Sequence, residues 1–372
     1  MASDMDLSFL RALYDRPGPF ASVYLDMRRT EASRALEVRR HVRCKELADQ
    51  GAPPETIEAV ERVIREEKEQ WESGCLAVFA CGGEVVHSAL QDGPPRADSA
   101  RYAPLPHVIP LLEQRGEPVA WAVAVVNRLG AEISCVAVDG TRWGVKVSPE
   151  VDYPVHKPKG GERLSQARSQ RAAEDSWRAN AKKVAQFVER AAAACGAEVV
   201  VLAGDVRARG AVRDYLAEPV LALTVESERS CGPGLEADVA GAVASRRGER
   251  TRAAVDRFDE QITKGGRAVE GLGAVVGALR NGQVATLLVE ESVNARTPVW
   301  TGPRCTDLAT SPGELRALGV AEPVADRADA ALVRALAATD GELLLVASCG
   351  WHAGNGLGAL LRYAGTPVTA GR

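Results

Sequence analysis

Residues Tyr153–Arg190 read YPVHKPKGGERLSQARSQRAAEDSWRANAKKVAQFVER, a proline- and glycine-containing loop with a basic tip that runs straight into a long helix. Ala173, Trp177, Ala181, Val184 and Val188 recur at steps of three and four, so they share one helical face, and that face is expected in the core. Arg168, Arg171, Arg178 and Lys182 follow the same rhythm about half a turn away, with Asp175 as the one acid among them. From His156 to Arg190 nine Lys/Arg face four Asp/Glu, a local excess of positive charge in a chain whose net charge is -4. Ahead of the helix, Tyr153 and Lys157 each precede a proline and are held extended. Gly160-Gly161 then supplies backbone without side-chain bulk, able to approach another surface closely. A glycine pair alone reads as an ordinary turn; set between cations and before a basic helix, it points to contact with a polyanion. The plainer alternative is a solvated helix face with a flexible connection.

On either side of this stretch, apolar runs alternate with amphipathic helices. Ala120–Val126, Ala131–Val138 and Trp143–Val147 read as strands before the loop. Glu198–Leu202, between Gly196 and Gly204, reads as a buried strand after the helix, followed by a helix near Val206–Leu216 and a strand at Val220–Leu223. A charged helix over Glu236–Lys264 leads on. Upstream lie a short helix at Leu7–Tyr14, a strand at Phe20–Leu25, helices at about 31–50 and 54–72, and a hairpin of Leu76–Ala80 with Val85–Leu90 turning at Cys81-Gly82-Gly83. Downstream, Ala268–Leu279 reads as helix, Ala285–Val289 as strand, Ala328–Thr339 as helix, Glu342–Ala347 as strand and Leu357–Ala364 as a closing helix. The fold class is α/β, expected as three consecutive α/β domains: an N-terminal one over 1–115, a middle one over 116–260 carrying the Gly-Gly loop and basic helix, and a C-terminal sandwich over 261–372.

With 372 residues, 46% hydrophobic and 26% charged, the chain has the composition of a globular protein able to bury several cores. Its slightly acidic balance argues against indiscriminate coating of nucleic acid and confines any such binding to patches. The start, MASDMDLSFLRALYDRPG, has no apolar stretch behind a basic end, and no apolar run reaches membrane-spanning length, so a cytoplasmic protein is expected. Eight cysteines and five histidines are scattered without metal-binding spacing, and neither a metal nor a cofactor is expected. Gly232-x-Gly234-x-x-Ala237 superficially fits a dinucleotide-binding turn, but charged residues separate it from the preceding strand and it reads as a loop and helix start. Cys349 and His352 lie close in sequence, which does not supply the geometry of a nucleophile and its base. Beside the basic helix, Arg207, Arg209 and Arg213 offer further guanidinium groups to phosphates. Exposed aromatics are not interleaved with these cations, which favours phosphate and shape contacts over base stacking.

Gly160–Leu216, GGERLSQARSQRAAEDSWRANAKKVAQFVERAAAACGAEVVVLAGDVRARGAVRDYL, resembles the middle domain of the archaeal and eukaryotic class I peptide release factor and Pelota superfamily. In release factors a Gly-Gly-Gln loop with following arginines precedes a long helix and then an apolar strand ending near glycine. Gly265–Ser292, GGRAVEGLGAVVGALRNGQVATLLVEES, resembles that superfamily's third domain. With GPFASVYLD at Gly18–Asp26 and YPVHKP ahead of the loop, the chain looks like the bacterial branch of this group, which includes the hibernation factor Balon. The first domain matches by layout more than by signature.

The resemblance implies a ribosome-associated translation factor that binds the aminoacyl-tRNA site, with the first domain towards the decoding centre and the loop towards the peptidyl transferase centre. It implies ribosomal RNA contacts from Lys157, Lys159, Arg163, Arg168, Arg171, Arg178 and Lys182, and a protein contact through the third domain with an elongation factor Tu-like GTPase. Neither a membrane nor DNA is implied as a partner. The loop tip is Gly160, Gly161 and Glu162, and Glu162 stands at the glutamine position. A glutamate cannot donate an amide hydrogen bond, and among phosphates its charge is repelled unless protonated. Ribosome binding, in hibernation or stress protection, is therefore implied more firmly than hydrolysis. The rival expectation is a peptidyl-tRNA hydrolase or release and rescue factor, with Glu162 as the catalytic group that positions or activates water. A third is an RNA-binding or protein-interaction module acting off the ribosome.

Overall fold

The computed structural model describes residues 7–27, 33–70, 74–91, 95–148, 163–290, 297–346, 351 and 353–363. They group into two compact units, one formed by 1–117 together with 253–372 and the other by 118–252.

The N-terminal segment of the first unit holds α1 (Arg11–Tyr14), β1 (Phe20–Asp26), α2 (Ser33–Asp49), α3 (Pro54–Gln70), β2 (Cys75–Cys81), β3 (Glu84–Gln91), β4 (Ser99–Ala103) and α4 (Ile109–Arg115). Its strands form an antiparallel sheet in the order β3-β2-β1-β4. Every residue of β1 is buried because both faces are covered, which is why the run shows no polar alternation. Ala21, Val23 and Leu25 pack with Leu47 of α2 and with Val60 and Ile64 of α3, whereas Phe20 and Tyr24 join the opposite core. The arginines of α2 are drawn into internal ties: Arg39 lies 3.4 Å from Asp26, and Arg40 reaches Glu61 at 3.0 Å. The proline-rich 91–112, whose sequence shows no regular period, nonetheless contains β4 and leads into α4, which starts with proline in its first turn.

The second unit contains β5 (Trp121–Asn127), β6 (Gly130–Val136), β7 (Arg142–Val147), α5 (Arg163–Cys195), β8 (Val199–Gly204), α6 (Val206–Arg213), α7 (Glu218–Leu221), β9 (Thr224–Ser227) and most of α8 (Gly232–Thr263). Its sheet runs β7-β6-β5-β8-β9, with β5, β8 and β9 parallel and β6 and β7 antiparallel to their neighbours. Alternation along β8 sends Val200 and Leu202 under α5 and α6, and Val199, Val201 and Ala203 under Leu235 and Val239 of α8. Helices thus cover both faces. Val220–Leu223, expected as a strand, is the end of α7 and the turn after it: Pro219 falls in the first turn of a helix, and the sheet is completed instead by Thr224–Ser227, half of it exposed.

The C-terminal segment, again part of the first unit, adds β10 (Ala268–Glu270), α9 (Leu272–Arg280), β11 (Val284–Glu290), β12 (Pro298–Thr301), β13 (Leu308–Ala309), α10 (Pro312–Ala317), β14 (Val324–Arg327), α11 (Ala328–Ala338), β15 (Glu342–Val346) and β16 (Leu357–Leu361). One sheet runs β10-β16-β11-β15 and a smaller antiparallel one β13-β12-β14. Two expectations are corrected. Leu357–Ala364 does not close as a helix; residues 357–361 form an inner strand, where a Cβ on Gly358 would sit 2.6 Å from the Phe258 ring, so glycine admits the aromatic stack of Phe258 on Trp351. The start of Ala268–Leu279 is the edge strand β10, and Gly271, at φ 80°, turns it into α9.

Leu10 and Leu13 near α1, Phe79 of β2, Leu279 of α9 and Leu332 and Leu336 of α11 belong to one continuous core, so the N- and C-terminal segments of the first unit share an interior. Polar ties reinforce it. Arg11 pairs with Asp340 and Arg101 with Asp326, the Leu105 N–H donates to Asp326 at 2.8 Å, and His107 lies 3.5 Å from Asp329.

Candidate nucleic-acid interface

α5 is held by its apolar face. Ala181, Val184, Ala185, Val188 and Ala192 are buried against the β5–β6 side of the sheet, each fully buried valine contributing roughly 1.5–3 kcal/mol. Steps of four from Arg178 give Lys182, Gln186 and Arg190, and all four are exposed. Among the described residues neither Arg178 nor Lys182 has a carboxylate at ion-pair distance, and Arg190 lies 5.7 Å over the Phe187 ring, a contact that steadies its stem. Arg163, Arg168 and Arg171 fall on the preceding turns of the same helix, with side chains outside the described part. Lys157, Lys159, Gly160, Gly161 and Glu162 lie outside the described residues, as do Cys349 and His352.

Two further exposed cations come from residues that sequence reading passed over. Arg142 and Lys146, on β7 at the sheet edge, are exposed, whereas Trp143 between them, 36% exposed, pairs across Cys135 and stands on the opposite face of the strand with Val145 and Val147. The signal was the even spacing of Arg142, Gly144 and Lys146, which puts them on one face of a strand whose Val145 and Val147 go to the core. At the carboxyl ends of the parallel strands, Gly204 (φ 102°) lies so near β5 that a Cβ would overlap the Val126 carbonyl oxygen. That close approach delivers Asp205 to the start of α6, where its carboxylate accepts hydrogen bonds from the N–H groups of Arg207 and Ala208, both at 3.0 Å. The Ala208 bond above all, then the Arg207 bond and the guanidinium groups of Arg128 and Arg207, hold that carboxyl below its usual range.

Arg209 and Arg213, offered to phosphates by the sequence, are instead found paired with a carboxylate. Arg209 is buried 3.3 Å from Glu226 and Arg213 lies 3.2 Å from the same carboxylate, so both tie α6 to β9. Of the three arginines on α6, Arg207 alone has no carboxylate at ion-pair distance among the described residues, though its charge acts on Asp205. The Gly232-x-Gly234-x-x-Ala237 segment is the first turn of α8, entered through a four-residue loop after β9, and Asp238 there accepts from the Ser227 hydroxyl at 2.5 Å. Among the described residues there is no group of three or more His, Cys, Asp or Glu placed to hold a metal, and no helix is long and apolar enough to cross a membrane.

The chemistry on offer is a row of exposed cations along one helix, suited to phosphate oxygens, while Arg142 and Lys146 stand on the other face of the sheet. The pattern of bacterial archaeo-eukaryotic release factor family 2 matches residues 120–264, a span that contains β5 through α8 and with them the basic helix. Two Mycobacterium tuberculosis proteins, the uncharacterized proteins MT2704 and Rv2629, are each 33% identical over 381 aligned positions, covering 96% of this chain and 96% of the relative. The chain belongs to the bacterial archaeo-eukaryotic release factor family. As a member it is release-factor-like, a protein of the translation-factor kind. Solved structures similar to this family member include an archaeal Pelota from a model of ribosome-bound archaeal Pelota and ABCE1, at 15% identity over 98% of this chain and 96% of that one with a TM-score of 0.40. The Pelota of Archaeoglobus fulgidus aligns at 14% identity over 78% and 80% of the two chains with a TM-score of 0.36.

Proposed function

We propose that this protein binds the aminoacyl-tRNA site of the ribosome and protects idle ribosomes during stress. In this reading residues 1–115 face the decoding centre, 116–260 carry the loop Lys157–Arg163 towards the peptidyl transferase centre, and 261–372 meet a protein partner such as an elongation factor Tu-like GTPase. The supporting observation is the strip of Arg178, Lys182 and Arg190, exposed along one helix of a translation-factor family member whose whole chain carries a net charge of -4. Cations gathered on one element of an acidic protein direct it to a particular polyanionic surface instead of to nucleic acid at large. Lys157, Lys159, Arg163, Arg168 and Arg171 extend the same strip towards the loop tip in this proposal.

Glu162, standing where release factors have glutamine, favours occupancy without ester hydrolysis, because a carboxylate lacks the amide donor. Co-sedimentation with vacant ribosomes and with ribosomes carrying aminoacyl-site tRNA tests the site: binding to the former, blocked in the latter and weakened by Arg178→Glu with Lys182→Glu, is the expected result. Equal binding to both ribosome states refutes the site, and binding unchanged by the charge reversals refutes the strip. Release of labelled peptide from stalled ribosomes, lost on Glu162→Ala, would make the protein a peptidyl-tRNA hydrolase or rescue factor. Crosslinking confined to free RNA or to another protein would place its action off the ribosome.

A further inference from the structure

α5 and α6 pack on one face of the sheet, and each joins β8 through a short connection, α5 into its start and α6 out of its end, so the two helices run parallel. Their alignment is fixed where the Ala217 N–H, just past α6, donates to the Glu189 carboxylate of α5 at 2.7 Å. That bond marks the flank of α5 that looks at α6. Counting back from Glu189 at about 100° per residue, Lys182 and Arg178 return to the same flank. Arg190 is turned about a quarter-circle further, away from the seam and over the Phe187 ring. On α6, Ala208 and Val212 go into the core and Arg209 and Arg213 reach sideways to Glu226 on β9, which leaves Arg207 on the upper flank that looks at α5. About two turns up from the Glu189 tie on either helix, Lys182 and Arg207 therefore stand across the seam from each other, with Arg178 one turn beyond.

Charge separates along this seam. At the Lys182 end Arg128, from the turn after β5, joins Arg178, Lys182 and Arg207, and all four are exposed. Asp205 is the carboxylate among them, and it is occupied by the N–H groups of Arg207 and Ala208. At the Glu189 end Asp214 and Glu218 are exposed, and Arg213 is spent on Glu226. Cations set across a seam between packed helices repel one another in the free protein, and phosphate oxygens between them turn that repulsion into attraction. A polyanion following α5 down to Arg190 meets Asp214 and Glu218; one that crosses to Arg207 avoids them. With ribosomal RNA taken as the partner from the function proposed above, on which this rests, we infer that the RNA backbone crosses the α5–α6 seam. One phosphate sits between Lys182 and Arg207 and a neighbouring one on Arg178, and Arg190 takes none.

Filter binding to a short double-stranded RNA hairpin and co-sedimentation with vacant ribosomes, each over a salt series, test the crossing with the full-length protein. Arg207→Gln should weaken both by about as much as Lys182→Gln does, and each should lower the slope of log affinity against log salt by about one. Arg190→Gln should leave affinity within about twofold and the slope unchanged. Arg207 lies in the first turn of α6, where loss of a cation favours the helix dipole, so Arg207→Gln should melt at the parent's temperature or higher and its weaker binding is not lost folding. Arg207→Gln binding like the parent, or Arg190→Gln costing as much as Lys182→Gln, overturns the crossing and leaves ribosome binding standing. The expected pattern on the hairpin without co-sedimentation removes the ribosome and keeps the crossing, and a parent protein that binds neither probe overturns both.

Discussion

Acidification reads out one carboxylate at the junction of the N- and C-terminal segments of the first unit. Burial alone would raise the Asp329 carboxyl, but hydrogen bonds from His107 and Arg327, together with their charges, outweigh it and hold the group at about 2, against 3.8 for the free side chain. Arg327 binds it closely, with Nη2 at 2.6 Å and Nε at 3.0 Å from its oxygens. Because the folded value lies below the unfolded one, the ionised carboxylate contributes its full stability above about pH 4 and loses it as the pH falls through about 2. At about 1.36 kcal/mol per unit, the gap amounts to roughly 2 kcal/mol. The side chain is 4% exposed, so solvent screening removes little of this. In a unit of this size the contribution corresponds to roughly 4–8 °C in Tm. Circular dichroism melts of the parent and of Asp329→Asn, taken from neutral pH into the acid range, isolate it, because every other carboxylate is common to the two proteins. The parent's advantage over the variant should shrink by about 2 kcal/mol between about pH 5 and about pH 2. A constant difference across that window would refute the assigned partnership.

Other substitutions probe the remaining parts. Gly204→Ala combines a φ of 102° with overlap on the Val126 carbonyl, and should lower the urea midpoint by an amount equivalent to more than about 1 kcal/mol; an unchanged midpoint would mean that β5 and β8 lie farther apart. Phe258→Ala empties a site 1% exposed and removes an edge-to-face stack 5.6 Å from Trp351, for an expected loss of about 3–5 kcal/mol in denaturant unfolding. A small loss there would argue against Gly358 lying under the ring. For the double reversal Arg178→Glu, Lys182→Glu, the slope of log affinity for ribosomes against log salt should fall by about two, one for each phosphate no longer neutralised; an unaltered slope would show that these side chains meet no phosphate.

Strands buried on both faces announced themselves in the sequence. Phe20–Leu25, apolar but for Ser22, and Val199–Gly204, apolar throughout, lie next to proline or end in glycine, and the structure places both inside sheets. Edge strands were harder: Thr224–Ser227 is half exposed, so its composition carries no apolar signal, while the apolar Val220–Leu223 beside it drew the assignment away. Leu357–Leu361 has the leucine and alanine of a helix, and only the arrival of Phe258 and Trp351 from elsewhere in the chain explains a strand with glycine inside it. The candidate interface divides in the same way. Spacing alone predicted that Arg178 and Lys182 would point away from Val184 and Val188, whereas the capture of Arg209 and Arg213 by Glu226 depends on the pairing of β8 with β9, which no local pattern reveals.

The interior shared by residues 1–117 and 253–372 also sets a timetable for biosynthesis. While a nascent chain emerges, Leu10, Leu13 and Phe79 must wait for Leu279, Leu332 and Leu336 until the whole of 118–252 has been translated in between. At typical elongation speeds that interval is on the order of ten seconds, ample for the intervening unit to complete its own sheet. During the wait the early apolar surface lacks its final cover, so vectorial synthesis makes this segment the one most in need of chaperone protection.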